Sequence, residues 1–159
     1  MSLLKLNAIV IVLLKLTLLK YFFNYKLYVS FVIYLPMSDA TLVISVYDKG
    51  RELDLIFHAL TKQDYSSTKF EIIIAEDGEN AKVSELVERW QSKRQLNIRH
   101  ITQEDKGFRK NKILNKAIMA SASLYLIFID GDCLPHPEFI SAHISNIEPN
   151  TVLCGRRVN

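Results

Sequence analysis

The sequence contains only two cysteines in 159 residues, Cys133 and Cys154, and no C-x-x-C pair. Two cysteines are too few for a disulfide framework, which fits a protein of a reducing compartment. Glycine and proline are also scarce, with five and four residues, which excludes a collagen-like or low-complexity chain. The 49% of hydrophobic residues can build a core. The length suits one domain, because domains cluster at about 100–150 residues.

Acidic residues are missing from the first 36 positions, whose charged side chains are Lys5, Lys15, Lys20 and Lys26. The formal net charge of +3 comes from this segment. Without its four lysines, 16 basic residues face 17 acidic ones, a net charge of −1. A balanced body gives no electrostatic basis for generic nucleic-acid binding, so we expect no nucleic-acid partner.

No uncharged run in residues 1–36 is long enough to span a bilayer. The apolar stretch Leu6–Leu14, for example, is far shorter than the about 20 residues that a spanning helix needs. The composition favours a basic helix on a membrane surface over a signal peptide, because no small-residue cleavage site follows. A second interpretation is that the native chain begins at Met37. We therefore divide the sequence into a leader, residues 1–36, and a domain, residues 37–159.

From Thr41 onward, short apolar runs alternate with segments of helical periodicity. The runs are rich in β-branched residues and predict strands at Thr41–Tyr47, Phe70–Ala75, Asn97–Thr102, Leu124–Ile129 and Thr151–Cys154. The intervening segments repeat apolar residues at helical spacing, beginning with Leu53, Val83, Ile113 and Phe139. Strands joined by single helices imply right-handed crossovers. The predicted fold class is α/β, with a Rossmann-like, doubly wound and mostly parallel sheet.

Acidic residues follow most of the predicted strands, at Asp48, Glu76, Asp77, Glu104, Asp105, Asp130 and Asp132. The carboxyl ends of parallel strands share one edge of the sheet, where such proteins bind ligands. Carboxylates gathered there repel one another unless a cation or hydrogen-bond donors lie among them. We expect Mg²⁺ or Mn²⁺ at Asp130 and Asp132. A nucleotide diphosphate is the natural partner, because Mg²⁺ binds phosphate oxygens through one or two carboxylates.

Three basic residues, Arg109, Lys110 and Lys112, lie at the start of a predicted helix. The amino end of a helix also favours anions, so these side chains are candidates for contacting a departing diphosphate. The alternative is a solvated helix face, which is common for lysine-rich segments.

Five segments together resemble family 2 glycosyltransferases of the GT-A fold, in the branch of bacterial polysaccharide and galactosyltransferase-type enzymes. They are Tyr47-Asp48, Gln63-Asp64-Tyr65, EIIIAEDGE (71–79), KGFRKNKILNKAI (106–118) and FIDGDCLPHPEF (128–139). The resemblance covers residues 41–159 and implies a nucleotide-diphospho-sugar transferase. Its donor is expected to be a UDP-sugar and its acceptor a glycan or lipid-linked saccharide, with a metal-dependent and inverting reaction.

The resemblance also implies roles for single residues on the donor's nucleoside side. Tyr47 matches the position that stacks on uracil, and Asp77 the position that hydrogen-bonds the base edge. Asp48 stands beside Tyr47, where the family commonly has Asn, and is counted with the donor-binding residues. Ser45 replaces a common proline, which leaves the geometry of the first loop open.

On the phosphate side, Asp130 and Asp132 match the DxD motif. The resemblance implies that Asp130 contacts the ribose and that both aspartates bind the metal-diphosphate. Asn115 matches the Asn of the family's G-x-x-x-x-x-x-R-N segment, while Leu114 stands at its usual Arg. Arg109 and Lys112 are the candidate substitutes for that arginine. His143 is a candidate third metal ligand, with helix packing as the alternative reading.

The general base of an inverting transfer is expected beyond Asn159, so the chain is interpreted as the donor half, truncated at its carboxyl end. Two alternatives remain. One is a catalytically incomplete nucleotide-sugar-binding fragment. The other is a haloacid-dehalogenase-type phosphatase, because LIFIDGDCL resembles the motif of those enzymes. They carry the motif's aspartates at their first strand, however, whereas three predicted strands precede it here. The expected location is cytoplasmic, peripheral at the inner membrane.

Overall fold

The computed structural model describes residues 38–156 of the chain. Within this range lie four parallel strands: β1 (Ala40–Val46), β2 (Phe70–Glu76), β3 (Ile98–Thr102) and β4 (Leu126–Asp130). They alternate with four helices: α1 (Gly50–Leu60), α2 (Ala81–Lys93), α3 (Lys110–Ala120) and α4 (Phe139–Ser145). This alternation confirms the predicted α/β class.

The strand order is β3-β2-β1-β4. The chain adds strands on one side of β1 and then crosses back to place β4 on the other side. The order of winding therefore reverses between β1 and β4, which is where doubly wound sheets bind their ligands. The pairing sets Ser45 opposite Asp130 and Val46 opposite Glu76, so the carboxyl ends of these strands lie level.

Helices cover both faces of the sheet. On one face, α1, α2 and α4 bury a large apolar cluster around the rings of Phe57 and Trp90, whose centroids lie 5.5 Å apart. On the other face, α3 packs Ile113 and Ala117 against Val43 of β1 and neighbouring strand residues. Burial on both faces explains why β1 and β2 read as continuous apolar runs rather than as alternating ones.

A buried polar cluster closes the amino-terminal end of the sheet. The Glu71 carboxylate, 3% exposed, accepts hydrogen bonds from Thr41 Oγ1 at 2.7 Å and from the Ala122 amide at 2.6 Å. Arg99 contacts the same carboxylate at 3.5 Å and also donates to the Ala120 carbonyl at the end of α3. These bonds fix the entry into β4 against β1 and β2.

Two predicted elements differ from the structure. Residues 151–154, predicted as a fifth strand, have no regular structure, and Val152 is 85% exposed. A four-residue apolar run becomes a strand only where a neighbouring strand offers hydrogen-bond partners, and no described strand pairs with it. The last helix is predicted from the spacing of Phe139, His143, Ile144 and Ile147, but it ends at Ser145, and Ile147 beyond it is exposed.

The predicted leader, residues 1–36, lies outside the described residues, so the division of the chain at residue 36 stays a prediction. Between residues 38 and 156, none of the helices combines the length and apolar character that a bilayer crossing requires.

Replacement of Phe57 by Ala is expected to lower the free energy of unfolding by about 3–5 kcal/mol, because a fully buried ring leaves a cavity against the sheet. Leu55→Ala, two positions away on α1 and 53% exposed, is the matched control and should change it by less than about 1 kcal/mol. Urea unfolding followed by circular dichroism measures both. Equal losses would contradict the placement of α1 on the sheet.

Candidate functional site

The site begins with the Asp130 side chain at the end of β4. Its Oδ1 atom accepts a hydrogen bond from Ser45 Oγ at 2.9 Å, across the paired strands. Lys110 Nζ, from the first residue of α3, donates to the same oxygen. The aspartate is therefore positioned by both a neighbouring strand and a helix that lies across the sheet.

Gly131 lets the turn after β4 wrap closely around the end of β1. Its amide donates to the Ser45 carbonyl at 2.8 Å, and a Cβ atom at this position would lie 2.9 Å from that carbonyl oxygen. Such a contact is shorter than real side chains make, so only glycine fits without a backbone shift. The Cys133 amide closes the turn by donating to the Asp130 carbonyl at 3.0 Å. Asp130 and Asp132 thus flank a sharp, anchored turn.

Asp77, after β2, is 5% exposed, and both of its carboxylate oxygens accept internal hydrogen bonds. Gln103 Nε2 donates to Oδ1 at 2.7 Å, and the Arg109 amide donates to Oδ2 at 2.5 Å. The residue predicted to contact the base edge therefore also holds the loop after β3 and the start of α3. Sequence reasoning missed Gln103, although its position directly after β3 was the available signal.

Tyr47 presents an exposed ring at the end of β1. The ring lies against Gly78, where a Cβ atom would approach two ring carbons at 3.8 Å, and 59% of the residue is exposed. Its hydroxyl donates to Asp105 Oδ2 at 3.2 Å. That hydrogen bond and the negative charge of Asp105 raise the pKa of the Tyr47 hydroxyl above its ordinary value. The phenol therefore stays protonated and fixed, with its ring able to stack.

Hydrogen-bond donors within the domain reduce the repulsion expected among the acidic residues that follow the strands. The buried Glu76 carboxylate accepts from the Asn80 amide at 2.9 Å and lies 2.7 Å from His100 Nε2. Asp105 accepts from the Gly107 amide at 3.2 Å, besides Tyr47. Donors within the domain therefore satisfy the carboxylates of Glu76 and Asp105 without a cation.

Asp48 connects the first loop to α2. Its Oδ1 atom accepts from Asn80 Nδ2 at 2.6 Å, while Asn80 caps α2 by accepting from the Lys82 amide at 2.9 Å. The backbone of Asp48 is left-handed, with φ of 47°, a conformation that Asp and Asn tolerate better than most residues. These contacts explain why an aspartate stands beside Tyr47, and its role toward the donor stays a prediction.

The basic residues around α3 differ in what they reach. The Arg109 guanidinium donates to the Glu104 carbonyl, and its Nε atom is buried with no partner among the described residues. Lys112 is exposed on α3. Lys110, which is also predicted above as a candidate contact of the diphosphate, contacts Asp130. The spacing of lysines along a helix start does not show which of them faces the strand ends.

Asn115 and Leu114 lie on different sides of α3. Leu114 packs against the apolar cluster around Val43, so the position expected to hold an arginine contributes to the core instead. Asn115 is exposed, and its predicted contact with the donor stays a prediction.

The structure does not support His143 as a third metal ligand. Its Nδ1 atom lies 3.0 Å from the Tyr125 hydroxyl, and Tyr125 precedes β4, whereas Asp132 follows it. The ring also packs edge-on against Phe139, with centroids 4.8 Å apart. Burial lowers the pKa of the His143 ring below its ordinary value. The alternative reading, a histidine that packs α4 onto the sheet, accounts for these contacts.

The carboxylates of the two aspartates suit a hard divalent cation whose remaining ligands come from outside the protein. Carboxylate oxygens on an anchored turn suit Mg²⁺ or Mn²⁺, which binds through one or two carboxylates and takes waters and phosphate oxygens for the rest. Across residues 38–156, no group of three or more His, Cys, Asp or Glu side chains is arranged to hold a metal alone. Two carboxylates would leave the other ligand positions of such a cation to waters or to a bound molecule.

A protein-family model described as glycosyl transferase family 2 matches residues 41–159, which is more than half of the chain. The chain belongs to glycosyltransferase family 2. The match includes both aspartates of the turn after β4 and therefore favours this family over the phosphatase alternative.

Three similar proteins show how much of a longer chain this sequence matches. Chondroitin synthase of Escherichia coli is 26% identical over 125 residues, which are 77% of this chain and 18% of that protein. The Staphylococcus aureus TarS 1-349 structure in complex with UDP-GlcNAc has a TM-score of 0.61 at 20% identity, covering 67% of this chain and 30% of that one. Mannosyltransferase PcManGT from Pyrobaculum calidifontis, in complex with GDP-Man and Mn²⁺, has a TM-score of 0.58 at 18% identity, covering 67% and 31%. These likenesses show the GT-A fold, and the chain spans less than a third of each of these proteins.

Replacement of Gly131 by Ala is expected to cost about 1–3 kcal/mol of unfolding free energy, because the new methyl group overlaps the Ser45 carbonyl. Gly50→Ala at the start of α1 is the control, since nothing lies within 4 Å of the added carbon. It should be neutral or stabilising by less than about 1 kcal/mol. Urea denaturation measures both. A neutral Gly131→Ala variant would show that the turn does not follow β1 so closely.

His143 makes stability depend on pH. Because its pKa is lowered in the folded state, the unfolded chain binds more protons as pH falls below about 6.5, so the folded state loses stability there. His143→Gln should flatten the dependence of unfolding free energy on pH between about 5 and 7. His136→Gln, at an exposed histidine, is the control and should keep the wild-type slope. Equal slopes in all three proteins would contradict the burial of His143.

Proposed function

We propose that this domain binds a nucleoside-diphosphate sugar, a UDP-sugar, at the carboxyl ends of β1, β2 and β4, and that the protein transfers the sugar to a glycan or lipid-linked acceptor. The observation that carries the proposal is the anchored turn with Asp130 and Asp132, set at the place where the sheet reverses its winding. Membership of glycosyltransferase family 2 supports it.

The nucleoside would lie against Tyr47 and Asp77. An exposed aromatic ring held against a glycine gives a flat surface on which a base can stack. Asp77 already accepts two internal hydrogen bonds, but each carboxylate oxygen has a second lone pair that can accept a base N–H. The bonds from Gln103 and the Arg109 amide would hold this carboxylate in place.

The diphosphate would lie at Asp130 and Asp132 together with Mn²⁺ or Mg²⁺. When bound there, the cation supplies positive charge that stabilises the negative charge developing on the departing diphosphate. The aspartates would hold it in place, and Ser45 and Gly131 fix the direction of the turn. The UDP-GlcNAc complex of TarS and the Mn²⁺ complex of PcManGT support this assignment by analogy of fold.

An inverting transfer also needs a general base within hydrogen-bond reach of the acceptor hydroxyl. Both the identity of that base and the stereochemistry of the transfer stay predictions. Attachment to the inner surface of a membrane likewise stays a prediction, based on the basic, acid-free composition of residues 1–36. Mass spectrometry of the native amino terminus decides between that leader and a start at Met37.

Isothermal titration of the full chain with UDP and Mn²⁺ tests the proposal. The wild-type protein should bind, and Asp132→Asn should weaken binding by about tenfold or more, because a charged contact to the cation is lost. Asp64→Asn is the matched control: it makes the same chemical change at an exposed residue between α1 and β2, and should leave the affinity within about twofold.

Folded wild-type protein that gives no heat with UDP and Mn²⁺ would refute the nucleotide site. Binding that persists unchanged in Asp132→Asn would refute the metal assignment alone. Transfer from radiolabelled UDP-sugar to a glycan acceptor, measured on the same chain, separates an active transferase from the catalytically incomplete fragment.

A further inference from the structure

The pairing of Lys110 with Asp130 brings a cation to the carboxylate that the proposed function assigns to the donor diphosphate. The Lys110 side chain is 33% exposed and that of Asp130 58% exposed. Ion pairs this open to water contribute about 0–1 kcal/mol to stability. Stability alone therefore gives little reason for a lysine at this position.

The backbone of Lys110 is held at the rim of the sheet. Its neighbour Arg109 donates an amide hydrogen bond to Asp77, and the Arg109 carbonyl accepts from Gln103 Nε2 at 3.2 Å. The first turn of α3 is thereby attached to β2, while the Lys110 side chain extends to β4. The position of the ammonium group therefore depends on contacts with the ends of two strands and not on the helix alone.

Other cations near this edge already have different partners. The Arg109 guanidinium donates to the Glu104 carbonyl, and Lys106 pairs with the Glu104 carboxylate at 2.6 Å. Lys112 follows Lys110 by two positions, which places it on a different side of α3. Lys110 is therefore a cation that the structure brings to Asp130.

We propose that Lys110 is a donor-binding residue that contacts the diphosphate, its ammonium group moving from Asp130 to phosphate oxygens when the nucleotide and cation bind. This inference rests on the proposed function. A divalent cation at Asp130 repels the ammonium group, whereas a diphosphate attracts it, and the flexible lysine stem allows the short movement between them. Three ammonium donors can bind phosphate oxygens without a fixed approach direction.

The test compares UDP with uridine, which lacks the phosphates, on the full chain in the presence of Mn²⁺. Lys110→Met keeps the length and packing of the side chain but removes its charge. We expect its UDP affinity, measured by titration calorimetry, to fall by about tenfold or more. Its uridine affinity, measured by ligand-observed NMR, should stay within about twofold of wild type, because no phosphate contact is involved.

Two further variants separate phosphate binding from a structural role. Lys110→Arg retains a cation and should keep UDP affinity within about fivefold, since arginine also binds phosphate. Lys116→Met removes the same charge from an exposed position of α3 to which no donor contact is assigned, and it should change UDP affinity by less than about twofold.

Unchanged UDP affinity in Lys110→Met, with the wild-type protein binding normally, would overturn the role of Lys110 and leave the proposed function standing. Equal losses for UDP and uridine would also overturn it, because they would assign Lys110 to shaping the site as a whole. A folded wild-type protein that fails to bind UDP would overturn both the proposed function and this inference.

Discussion

The hydrogen bond from the Gly131 amide to the Ser45 carbonyl ties the turn after β4 to the end of β1. This bond exists because β4 pairs with β1 in a register that sets Asp130 opposite Ser45. Without the return of the chain to that side of β1, the two aspartates would lie far from Tyr47 and Asp77. The candidate site therefore depends on strand order, and strand order depends on the crossover through α3.

Much of the fold follows from local sequence. The runs TLVISV and EIIIAE predict strands buried on both faces, and the apolar spacing of Leu53 to Leu60 predicts α1, because side-chain periodicity directly reflects burial. The prediction of a fifth strand was wrong because strand pairing is a tertiary property. Residues 151–154 have strand-like composition, but no strand in the described part of the chain pairs with them.

The site was predictable in its residue types and less so in its contacts. Strand ends can be located from sequence, which is why Asp77 and Asp130 were found. The reach of a long side chain depends on helix rotation and on the loop before it, which is why the sequence does not show that Lys110, rather than Arg109 or Lys112, contacts Asp130. His143 illustrates the same limit, since a helix following β4 can turn its histidine toward either end of that strand.

Helix α3 is attached at its first turn to two separate strands. The Arg109 amide connects it to Asp77 of the β2 end, and the Lys110 side chain connects it to Asp130 of the β4 end, on opposite sides of β1. A small displacement of this helix would change both attachments at once. A ligand bound at Asp77 would accordingly alter the affinity for a ligand at Asp130. Such energetic coupling is reciprocal by thermodynamic necessity.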